Sequence, residues 1–124
     1  MDYFLMARKE WVMSTHHFID ILRSRWPSLK VATASSPDGF RAIDFQFDML
    51  NSTIDGSLGG EGSILIYNGA LRDCAEFALW YVSVLPLDAK PLMLFDEGYN
   101  RSIELGGGTT LSDVLDTFSN KPIQ

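Results

Sequence analysis

The sequence predicts an α+β fold: a mostly antiparallel sheet of about five strands, two main helices on one face, and a short C-terminal helix. Three observations carry that prediction. Residues 40–49 alternate, with Ile43, Phe45, Phe47 and Met49 set against Asp44, Gln46 and Asp48. Period-two alternation gives a strand with one buried and one wet face, which is the habit of an antiparallel sheet open on one side. Residues 15–26 and 70–85 repeat apolar side chains at helical spacing. The segments run helix, two or three strands, helix, two strands, helix, an order that packs helices on one side of a sheet.

Each element has a local reason. Ser14 or Thr15 can cap a helix opening at His16, and Phe18, Ile19, Leu22 and Trp26 form its stripe. Pro27 ends it, because the residue before a proline is pushed out of the helical region. Residues 30–34 read as a short strand, and Ser35-Ser36-Pro37-Asp38-Gly39 as a turn in which proline presets φ and glycine allows φ > 0. The polar, glycine-rich residues 51–62 read as a loop or weak strand with a turn at Asp55-Gly56. Residues 63–67 are apolar on both faces, as a central strand would be.

Asn68-Gly69 breaks the chain before the second helix, whose stripe is Leu71, Cys74, Ala75, Ala78, Val82 and Leu85. Phe77, Trp80 and Tyr81 widen that stripe, so this helix should be the more buried of the two. Residues 92–96 and 102–105 form a hairpin across Glu97-Gly98-Tyr99-Asn100. Thr110 followed by Asp113 resembles a capping box opening a helix over 111–118.

At 124 residues the chain is one domain, 1–124, with a frayed tail over 119–124. Residues 1–12 fit two readings. Met13-Ser14-Thr15 would serve equally well as a start, which makes the segment an appendage. Alternatively Tyr3, Phe4, Leu5, Trp11 and Val12 pack on the body. No apolar run approaches the roughly 20 residues of a membrane helix, and the first residues lack the order of a secretory signal. The single cysteine, Cys74, excludes an internal disulfide and suits a reducing cytoplasm.

Charge is distributed unevenly. The whole chain carries −6, yet from residue 38 onward 13 Asp and Glu face 5 Lys and Arg, whereas the first 37 residues carry 3 acids and 5 bases. An acidic body repels nucleic acid and anionic lipid and attracts basic surfaces. His16 and His17 are the only histidines, so most of the chain lacks the commonest general base. Adjacent residues on a helix point about 100° apart, which makes the pair a poor start for a metal site. Cys74 lies on an apolar stripe, where burial would make it an inert small hydrophobe. Gly106-Gly107-Gly108-Thr109-Thr110 joins strand to helix, but lacks the Lys of a phosphate-binding loop. No cofactor, metal or catalytic residue is expected, and the chain reads as a binding protein rather than an enzyme.

The candidate partner-binding residues are acids plus one aromatic. Asp44 and Asp48 occupy the wet face of the clearest strand. Asp96, Glu97 and Glu104 flank the hairpin, and Tyr99 sits at its tip among residue types favoured in binding hot spots. Two other readings stay open. One is a small-molecule binding protein or enzyme, with a pocket between the second helix and the sheet lined by Trp80, Tyr81 and Phe95. The other is an oligomeric structural subunit that self-associates through Trp11, Phe40 and Tyr3.

Phe77-Ala78-Leu79-Trp80-Tyr81 through Pro86, then Leu92-Met93-Leu94-Phe95-Asp96-Glu97-Gly98-Tyr99, then Ile103-Glu104-Leu105 with Gly108-Thr109-Thr110, resemble small uncharacterised bacterial proteins over roughly residues 70–118. In size, acidity and α+β organisation the chain is similar in type to immunity proteins of contact-dependent inhibition and other polymorphic toxin systems. That resemblance implies a cytoplasmic bacterial protein that neutralises a basic toxin through an acidic surface. No motif carries a particular binding residue across.

Overall fold

The alternation in residues 40–49 becomes a strand that buries Ile43, Phe45 and Phe47, and six further strands extend it into one sheet. The computed structural model describes residues 2–8, 11–33, 41–59 and 62–119. In chain order the elements are β1 (Asp2–Met6), α1 (Thr15–Arg25), β2 (Lys30–Thr33), β3 (Arg41–Asp48), β4 (Thr53–Gly59), β5 (Ile64–Asn68), α2 (Leu71–Val84), a short 3-10 turn (Leu87–Ala89), β6 (Leu92–Asp96), β7 (Ser102–Leu105) and α3 (Leu111–Phe118). The seven strands are ordered β2-β3-β4-β5-β1-β6-β7, and every neighbouring pair is antiparallel. The class is α+β, with two more strands than the sequence pattern predicts.

The first extra strand is β1. Its residues lie between β5 and β6, with Leu5 opposite Leu65 on one side and Leu94 on the other. Tyr3 is 5% exposed and Leu5 1%. Trp11 also packs against the core, whereas Val12 is 60% exposed. The second extra strand is β4. Gly56, expected in a turn, sits in mid-strand between Phe45 of β3 and Tyr67 of β5. A Cβ built there would lie 2.5 Å from the Phe45 ring and 2.8 Å from Tyr67 Cβ. Glycine is present because two aromatic neighbours close over the backbone, a recurrent reason for glycine inside a strand.

The three helices cover one face. Phe18 and Leu22 of α1 are fully buried, and Phe18 packs edge-on against Phe45 and Tyr81. Trp26, just past the end of α1, stacks on Phe47 at 4.1 Å and meets Trp80 edge-on at 4.8 Å. Phe77 of α2 contacts Phe45, Phe47 and Tyr67. On the other flank Phe118 of α3 meets Tyr3 edge-on. α2 is the more buried helix, as its widened stripe predicts.

Capping follows the expected chemistry at two of the three helices. The Ser14 hydroxyl accepts from the His17 N–H at 3.1 Å, and Arg23 and Arg25 lie in the last turn of α1, where cations complement the helix dipole. Thr110 and Asp113 form a reciprocal capping box. α2 lacks a capping side chain of its own. Its start is held from the β3–β4 hairpin instead, where Ser52 Oγ accepts from the Ala70 N–H at 2.9 Å and donates to Asp73 at 2.7 Å. The same carboxylate accepts from the Asn51 backbone N–H and side-chain amide, both at 3.0 Å. Among the described residues every buried side-chain N or O has a hydrogen-bond partner.

The turn expected over residues 35–39, Phe40 and most of the expected tail (120–124) lie outside the described residues. Within those described, no helix is long and apolar enough to cross a membrane.

Candidate protein-docking face

With all three described helices on one side, the opposite side of the sheet carries no helix among the described residues, and the pleat sends every second residue there. Strand register arranges those residues in rows running across the sheet. One row is polar and acidic: Asp2 lies opposite Asn68, Asn68 opposite Asp55, Asp55 opposite Gln46, and Gln46 opposite Lys30. Glu97 extends it, since its Oε1 accepts from the Asp2 N–H at 2.8 Å. About 7 Å away, two residues along each strand, the next row runs Ser102, Phe95, Phe4, Ile66, Ser57, Asp44 and Ala32. The third runs Glu104, Met93, Met6 and Ile64.

The result is an apolar band over β5, β1 and β6, made of Ile64, Ile66, Phe4, Met6, Met93 and Phe95. All six are partly exposed. Acids border it: Asp55 and Asp44 on β4 and β3, Asp2 at the start of β1, and Glu97 and Glu104 at the β6–β7 end. Beside the band, Asp2, Asp44, Asp55, Ser57, Ile66 and Asn68 line a shallow cleft of about 340 Å³. Ser57 Oγ donates to Asp44 at 2.6 Å, and Asn68 Nδ2 to Asp2 at 3.2 Å. Both of these donors are neutral.

Most of the acids singled out from the sequence fall on this face or its rim. Asp44 and Asp48 are on the open side of β3, with Asp48 accepting from Thr53 Oγ1 at 2.7 Å. Glu104 is exposed on the edge strand β7, and Glu97 is exposed at the hairpin tip. Asp96 differs, and its assignment to the docking surface is corrected. It points to the helix-covered side and is 8% exposed. Its Oδ1 accepts from the backbone N–H groups of Asn100 and Arg101, at 2.8 and 3.2 Å. Asp96 therefore builds the tip. Asp2 and Asp55, which complete the acidic row, carry no local signal. The sequence pattern does not mark β1 as a strand, and it sets Asp55 in a turn.

The tip that Asp96 builds turns Tyr99 over the open face. Tyr99 has φ 56°, a left-handed conformation uncommon for a bulky side chain. Its ring lies flat on Phe4, with centroids 5.2 Å apart and planes 5° apart, and meets Phe95 edge-on at 5.4 Å. It remains 62% exposed.

The residues offered for the other readings are not brought together. Trp80 and Tyr81 pack into the helix side, whereas Phe95 lies on the opposite face. Tyr3 is buried and the partly exposed Trp11 packs against the core, while Phe40 lies outside the described residues. His16 is exposed beside Asp20, 3.9 Å away, and His17 is exposed as well. Cys74 is buried, and that burial, with the adjacent Asp73 carboxylate, pushes its thiol up to about 12. Among the described residues no group of three or more His, Cys, Asp or Glu is placed to hold a metal ion.

No family model matches the chain, and no curated protein or solved structure matches it.

Proposed function

We propose that this protein is a binding module that docks a basic partner protein on the open face of its sheet, in the manner of an immunity protein inhibiting a cognate toxin. One observation carries the reading: an apolar band bordered by carboxylates, on the only face of the sheet that the described helices leave uncovered. Apolar side chains supply contact area and exclude water, while the carboxylates select a partner rich in Lys and Arg and exclude anionic ones. The chain's net charge of −6 extends that selection beyond contact distance.

The mechanism is steric. A toxin whose active surface is basic, as one acting on nucleic acid would be, loses access to its substrate when this face covers it. No group on the protein needs to perform chemistry.

The test is the association rate with the partner across ionic strengths. Steered association falls steeply as salt rises. A rate that stays constant between low and high salt would contradict the reading.

A further inference from the structure

Resting on that reading, we infer that Tyr99, with Phe4 and Phe95 beneath it, is the anchor of the docking face, and that it receives a guanidinium group, the side chain of an arginine on the partner. Four features point there. The ring is supported on two sides, flat on Phe4 and edge-on to Phe95, so little side-chain freedom is lost on binding. Its other face is open to solvent, consistent with its 62% exposure. It is held there by a backbone conformation that an isolated tyrosine avoids, fixed by the buried carboxylate of Asp96 closing on Asn100 and Arg101. Asp2 and Glu97, linked by a hydrogen bond of 2.8 Å, lie at the same end of the Phe4 strand.

A planar cation fits this arrangement better than a point charge. Guanidinium stacks on an aromatic face, and its fork of N–H groups matches carboxylates held nearby. Arg101 of this chain is turned elsewhere, donating from Nη1 to the Ser119 carbonyl at 3.1 Å. A second copy of the chain is the poorer occupant, since it would bring acid against acid. An anionic membrane meets the same repulsion.

The experiment is a two-dimensional amide NMR titration of the whole ¹⁵N-labelled chain with N-acetyl-arginine methylamide. The isosteric but neutral citrulline derivative serves as the control. The expected result is saturable shifts centred on Phe4, Phe95 and Tyr99 with arginine and none with citrulline. Tyr99→Asn, a residue that tolerates the left-handed turn, should weaken binding about two- to fivefold in a chain that still melts cooperatively. Absent shifts at tens of millimolar, equal shifts with citrulline, or shifts centred on the Asp44–Asp55 cleft would each overturn the anchor. So would an undiminished affinity in folded Tyr99→Asn. The broader reading fails separately: if a captured partner still binds Tyr99→Asn in a salt-sensitive way, the acidic docking face stands and only the anchor is lost.

Discussion

Asp73 shows how much a single side chain carries in this molecule. Its carboxylate is fully buried at the start of α2, yet it accepts three hydrogen bonds from Asn51 and Ser52. It ties the β3–β4 hairpin, and with it the acidic row, to the helix layer. Removing it takes away the shared acceptor of three hydrogen bonds and unties the hairpin from the helix. Asp73→Ala should cost about 2–4 kcal/mol, measured by urea denaturation, while Asp55→Ala on the surface should change stability by less than about 0.5 kcal/mol. Equal effects would contradict the structural role. The residue next to it illustrates burial of another kind. Because the Cys74 thiol is raised to about 12 in the fold, while an ordinary thiol ionises near 9, the unfolded chain loses that proton first as pH rises. Burial raises Tyr67 and Tyr81 as well. The stability these groups contribute is thus complete below about pH 9 and declines as pH climbs above it. Melting temperatures from pH 7 to 11 should fall on the alkaline side, and Cys74 should resist a thiol reagent until the chain unfolds.

At the scale of elements, β1 and β4 separate what the sequence tells from what only the fold tells. Deleting residues 1–12 removes the strand between β5 and β6 and leaves two long unpaired edges in the middle of the sheet. The truncated chain should show no cooperative melting transition, and a native-like melt would contradict the central position of β1. Gly56→Ala should destabilise by about 1–3 kcal/mol through overpacking against Phe45 and Tyr67. α1, α2, α3, β3, β5, β6 and β7 are legible because apolar period and caps agree within each segment, and the Thr110–Asp113 box is visible as two letters three apart. β4 is not, because its glycines imitate turn chemistry; the reason for Gly56 is a ring from β3 and a side chain from β5, neither nearby in sequence. β1 is a short apolar run whose pairing partners lie roughly 60 and 90 residues downstream, and no local pattern encodes that. The same limit divides the candidate site. Period two sends Asp44 and Asp48 to the open face, whereas the position of Asp96 inside its turn depends on the hydrogen bonds of the finished hairpin. The partnership of Phe4 with Tyr99 depends on β1 entering the sheet at all.

For the whole molecule, the proposed function falls on one surface: helices on one side, and an acid-bordered apolar band on the other. Its most direct test is a paired pull-down from host lysate, with the tagged native chain and with Asp55→Lys combined with Glu104→Lys, each at low and high salt. Both substituted side chains are exposed on strands of the open face, so the double variant should melt like the native chain. The predicted result is one basic protein retained by the native chain at low salt, released at high salt, and absent from the variant. A partner held equally by both chains, or native beads that carry no other protein, would contradict the docking face.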